Sequence, residues 1–216
     1  MPGDSGALYV YKSAQRRVAV LPTQHIHLPF RPRLISIRPR GGPVNPKRTH
    51  TASLFLANSQ QMIAKQSLAL IVKSLQQLSE EEIWWRPNAA SNSAGNLVLH
   101  LCGNVRQWII AGLGGAEFKR DRDSEFAERG PIARKDLVAR LRRTVRDACR
   151  VLAKLSDDSL ARKHSIQGYN VTGVEAVFHV TEHFGYHTGQ IIYITKLTRG
   201  YDLRYTRLPV VKPAAE

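Results

Sequence analysis

A chain of 216 residues with 43% hydrophobic residues suits one domain with appendages and is too apolar to be disordered throughout. No apolar run approaches the roughly 18 residues that cross a bilayer, so a helical membrane protein is excluded and a cytoplasmic one is expected. The formal net charge of +15 invites a nucleic-acid reading, but residues 1–50 alone hold nine Lys and Arg against one acid, Asp4, which leaves the remainder only moderately basic.

Those first fifty residues differ in kind from the rest. They hold seven of the eleven prolines, too many for a helix, because each removes a donor and clashes with the preceding turn. The run Val18 to Leu21 is too short for a secretory core, and Arg16-Arg17 lacks the apolar stretch that a twin-arginine signal needs. Residues 1–50 therefore read as a disordered basic extension or as upstream sequence from a mis-assigned start.

From Ser53 the pattern turns helical. Leu54, Ala57, Gln61, Ala64, Leu68, Ile71 and Leu75 follow a 3.6-residue period and predict a first helix to about Leu78. Pro87 argues against helix around Trp84-Trp85, which read as a hydrophobic plug on the bundle end. A second helix starts near Ser93 or Ala94, capped by Asn92 or Ser93. Its inward face carries Leu97, His100, Leu101, Asn104, Trp108 and Ala111, and Gly112, Gly114 and Gly115 end it. Residues 116–131, with Lys119-Arg120-Asp121-Arg122-Asp123, read as a solvated connection.

A third helix over about Arg134–Leu155 has an apolar stripe, Leu137, Leu141, Val145, Ala148, Leu152 and Leu155, opposite a solvated run of arginines from Arg140 to Arg150. The fourth has the clearest limits. Thr172 and Glu175 fit a capping box, and Gly200 is a natural stop. Residues 51–203 thus predict a four-helix bundle, and 204–216 a frayed tail. Cys102 and Cys149 fall in apolar segments and read as reduced core thiols.

Of eight histidines, His25, His27 and His50 lie in the extension, and His164 in a polar connection. His179, His183 and His187 recur every four residues on the last helix. His183 and His187 sit one turn apart, about 6 Å, so two imidazoles can grip one ion. Phe184 stands where a zinc-protease helix needs glutamate, so the motif is a different one. A third ligand must come from elsewhere, and His100 lies on the buried face of another helix. Buried imidazoles each need partners, and one shared cation supplies them all, although a single core histidine is more often satisfied by a hydrogen bond.

Two stretches, Asn96-Leu97-Val98-Leu99-His100-Leu101-Cys102-Gly103-Asn104 and His183-Phe184-Gly185-Tyr186-His187-Thr188-Gly189-Gln190-Ile191, resemble the second-helix and final-helix motifs of the DinB-like family. Trp85-Arg86-Pro87, Gly112 to Phe126 and Leu155 to Leu160 are similar to an uncharacterised branch of it. The likeness covers about Thr51 to Leu203. It implies an all-α, DinB/YfiT-like four-helix bundle, often a homodimer, holding a divalent ion (zinc, nickel or iron) on His100, His183 and His187. His179 has no fixed place in the pattern and reads either as a group behind the ligands or as a helix-face residue, whereas Asn104 and Gln190, each about one turn from a ligand, are expected to orient it or the substrate.

Three reactions or roles follow. The first is a metal-dependent thiol transferase or hydrolase working on a small-molecule thiol or electrophile, with Glu182 weighed as a general base. The second is a non-catalytic metal-binding bundle of the stress response. The third is nucleic-acid binding through the Arg140 to Arg150 face, which no recognised motif supports.

Overall fold

The computed structural model describes residues 48–205. The expected extension before residue 48 and most of the expected tail, 206–216, lie outside the described residues. Residues 48–50, assigned from sequence to the extension, are part of the domain. Thr49 caps the first helix through its side chain, and the Arg48 guanidinium donates to the Leu155 carbonyl oxygen.

Four rods make the bundle. The first joins α1 (His50–Gln60) to α2 (Leu68–Gln77) through a π-helical stretch, Gln61–Ser67. The wider π turn changes the angular advance per residue, so the simple 3.6-residue stripe fails in its first half. Leu54 is 44% exposed, and Ala57 and Gln61 also face solvent. The buried face is instead Leu56, Ser59, Ile63, Ser67, Ile71 and Leu75.

The second rod is α3 (Ala94–Val105), prolonged by a second π stretch, Arg106–Ala111. Ser93 caps it in a capping box with Asn96. Every residue of α3 is buried, so it is the central helix and has no solvent face. It packs between α5 (Arg134–Leu152) and the fourth rod, α7 (Gly173–Arg199), while α2 closes the ring against α7 and α5. On α5 the expected stripe is buried and the arginines from Arg140 to Arg150 are exposed.

On α7 the capping box of Thr172 and Glu175 forms, and Gly200 ends the helix in the left-handed conformation at φ 70°. No helix of the described residues is long and apolar enough to cross a membrane. Of the two tryptophans at the bundle end, Trp84 packs on the first turn of α3 at Gly95, whereas Trp85 is 41% exposed.

Both long connections hold structure that periodicity does not announce. Residues 116–131 contain α4 (Arg122–Ala127), capped by Asp121. The connection after α5 contains α6 (Asp157–Ala161) and an antiparallel hairpin of β1 (Lys163–Ile166) and β2 (Tyr169–Thr172). Its Gln167-Gly168 turn has φ of 54° and 82°, the positive values that suit a two-residue hairpin loop.

Candidate metal centre

Helices α3 and α7 cross with their histidines face to face. His100 comes from the middle of α3 and His183 and His187 from successive turns of α7. The His183 Nε2 lies 2.9 Å from the His100 Nε2 and 3.1 Å from the His187 Nε2. The potential ligand atoms of the three all lie within 4.8 Å of one another. A tetrahedral ion about 2.0–2.1 Å from each nitrogen would set them about 3.3 Å apart, a few tenths of an ångström wider.

The outer nitrogens decide what the inner ones can offer. His100 Nδ1 faces Glu125 Oε2 at 3.0 Å, and His187 Nδ1 faces Gln190 Oε1 at 2.6 Å. Both oxygens are acceptors, and Arg120 Nη2, which lies 3.1 Å from the same His100 Nδ1, makes its shorter bond to Glu125 Oε2 at 2.7 Å, so each Nδ1 carries the proton and each Nε2 turns a lone pair inward. The His183 Nε2 can carry at most one proton and donate it to one neighbour, which leaves lone pair against lone pair in the centre. A cation resolves that conflict and a hydrogen bond does not, so this donor set fits a divalent ion. Burial, and then the neighbouring imidazoles His187, His100 and His179, push the His183 pKa down to about 3. Burial also lowers His187, against the hydrogen bond to Gln190, and lowers His179. Deprotonated rings are the form that can bind metal.

Glu125 and Arg120 are functional residues that the sequence reading missed, because it set them in a solvated connection. Arg120 grips Glu125 with both arms, Nε to Oε1 at 2.8 Å and Nη2 to Oε2 at 2.7 Å, and donates a third bond to Gln107. The two side chains are 5% and 9% exposed. Burial alone would raise the Glu125 carboxyl, and the hydrogen bonds and charge of His100 and Arg120 hold it below its usual value. Gly103 makes room for this pair: a Cβ there would overlap Glu125 Oε1 and come 2.9 Å from Arg120 Nε. The glycine in the α3 stretch was the one sequence signal that something approaches this face closely.

The remaining candidates divide. Gln190 touches His187, as its position one turn on suggests. Asn104 does not reach the three histidines. Its amide Nδ2 lies 3.3 Å from His179 Nε2, and its Oδ1 is buried without a partner. His179 stays outside the cluster, its ring stacked 5.3 Å from His183 and 4.1 Å from Trp108. Glu182 is exposed, and His164 Nε2 donates to the Ser159 carbonyl oxygen and takes no part in the cluster. A cleft of about 500 Å³ opens over His100 and His183, lined also by Asn104, Trp108, Tyr169 and His179.

The capped four-rod bundle is similar in fold to solved structures of DinB-like proteins. A DinB-like protein from Bacillus cereus superposes with a TM-score of 0.52 at 15% identity, over 65% of this chain and 91% of its own. A second, from Bacillus subtilis, gives 0.50 at 18% identity, over 72% of this chain and 96% of its own. At such identities the likeness is one of fold. Residues 50–212 match the family described as "Protein of unknown function (DUF1572)", and the chain belongs to that family. No curated protein matches the sequence significantly.

Proposed function

We propose that the chain is a divalent-metal-dependent enzyme of the thiol transferase or hydrolase kind, acting on a small molecule, with His100, His183 and His187 as the protein's ligands. The observation that carries this reading is the convergence of three Nε2 atoms, two of them with lone pairs fixed inward by Glu125 and Gln190. Zinc, nickel and iron all accept such an imidazole set. Three protein ligands leave a coordination position free, which is the catalytic rather than the structural arrangement. When bound, the ion supplies Lewis acidity that eases deprotonation of a coordinating thiol or water.

The chain's own residues do the rest. Arg120 anchors Glu125, and Glu125 fixes the His100 tautomer. Gln190 does the same for His187. The cleft beside His183 gives a small molecule its approach. The reading includes a cytoplasmic homodimer, supported by the apolar side chains Phe178, Tyr186, Tyr193 and Leu197 exposed along α7, and light scattering on the purified chain tests it.

Metal analysis of the purified protein should give about one ion per chain. The metal-loaded protein should then consume an electrophile in a thiol-dependent way, or hydrolyse a small ester or amide. An ion bound at full occupancy with no turnover in either screen would instead assign the chain to the non-catalytic alternative, and no metal uptake at all would refute both.

A further inference from the structure

The cleft over His100 and His183 is built of more than its histidines. Its far wall is the β1–β2 hairpin. Trp108 is 5% exposed and its indole N–H donates to Gln167 Oε1 at 3.0 Å, which locks the ring against the hairpin turn. Tyr169, 61% exposed, stacks beside it with ring centroids 6.2 Å apart and planes 30° apart. His179 packs against the indole with ring centroids 4.1 Å apart. The three rings make a continuous aromatic wall whose exposed ring is that of Tyr169.

The charge on the lining is lopsided. It comprises two guanidinium groups, Arg120 and Arg122, and one carboxylate, Glu175. Arg120 is committed to Glu125, and Glu175 to the α7 cap and to Lys163. Arg122 is exposed, its guanidinium laid over Phe126 at 4.9 Å, and forms no ion pair among the described residues. Its sequence neighbour Asp121 accepts from the Ser124 N–H, and Asp123 does not line the cleft. A guanidinium stacked by its face keeps its edge N–H groups for a planar anion.

We infer that this cleft is a subsite for an aromatic carboxylate, whose ring lies on the exposed Tyr169 ring that Trp108 backs and whose carboxylate meets Arg122. The size suits one small molecule, since pockets of about 300–1,000 Å³ take drug-sized ligands. The inference deepens the proposed function by naming a substrate class, and rests on that reading only for the chemistry that follows binding. Such a ligand, seated here, has its ring beside His183 and the open side of the cluster.

Calorimetric titration of the full chain tests it, with indole-3-acetate, indole and hexanoate as probes and metal content measured on each sample. Indole-3-acetate should bind saturably, and indole, which lacks the carboxylate, and hexanoate, which lacks the ring, about tenfold more weakly. Arg122→Ala and Tyr169→Ala, both exposed positions, should each weaken indole-3-acetate about five- to tenfold with melting temperature and metal content unchanged. Tyr193→Ala, an exposed aromatic of another groove, should leave binding as it is. No saturable binding by the wild-type chain, or binding by the two cleft variants as tight as that of the wild type, overturns the subsite even if metal is present. The expected pattern in a chain that takes up no metal upholds the subsite and removes the proposed function instead.

Discussion

Helix α3 carries two buried polar clusters little more than a turn apart, and they are finished to different degrees. At its N-terminus, Asn96 donates to the Glu125 and Glu128 carbonyls, both at 2.9 Å, and accepts from Ser93 and Arg86. Donor meets acceptor at each of its atoms, and within the cluster only Arg86 Nε lacks a partner. Further along, His100 is satisfied on its Nδ1 side by Glu125 and faces only other ring nitrogens on its Nε2 side. The first cluster closes on itself and holds α4 in place. The second is complete only with something added. Burial of polar groups alone does not separate structure from function, whereas the matching of donors to acceptors does.

The comparison can be broken most directly at the second cluster. His187→Ala removes one of three ligands and should weaken metal binding at least about 100-fold by chelator competition. His164→Ala should leave it unchanged, and equal effects would refute the centre. The first cluster should fail differently. Asn96→Ala strips two carbonyls and the cap of their partners and should cost about 2–4 kcal/mol in denaturant unfolding, with or without metal. Between the two lies Glu125, whose main chain is held by Asn96 and whose carboxylate holds His100. Glu125→Gln should weaken metal binding about tenfold while stability falls by less than for Asn96→Ala.

The smallest effect sharpens the contrast through pH. In the metal-free protein His183 and His187 have pKa values below their ordinary one, so the unfolded chain binds more protons than the folded one in the acid range. Their contribution to stability is present above the unfolded value near 6.5 and is lost as pH falls from there toward about 3, the folded value of His183. Urea midpoints of metal-free protein should therefore decline over that window, and His183→Gln should flatten the decline. A midpoint indifferent to pH there would mean that the rings do not pack as neutral groups.

Much of this was legible in the sequence where local rules act alone. The α7 limits rest on Thr172, Glu175 and Gly200, and the α5 stripe on undisturbed periodicity. His183 and His187 stood out by their one-turn spacing, and His100 by its place on the inward face of another helix. The π stretch at Gln61–Ser67 was hidden, because it shifts which residues face inward without changing composition. Arg120 and Glu125 were hidden for another reason. Charged residues in a polar connection look solvated, and only their pairing with each other and with His100 buries them. The hairpin was short and polar, and its Gln167-Gly168 turn was its single clue.

Helix α7 is 27 residues long, about 40 Å of uninterrupted α-helix fastened by a cap at each end. His183 and His187 sit on it like marks on a steel rule, at a spacing that the helix will not alter. Glu125, which sets the His100 ring, arrives from the short α4, and that is the adjustable side of the caliper. Any accommodation to ions of different radius falls to that side. Amide hydrogen exchange that changes on metal loading should therefore concentrate in residues 118–128 and spare 180–190, and the reverse pattern would show that the rule bends.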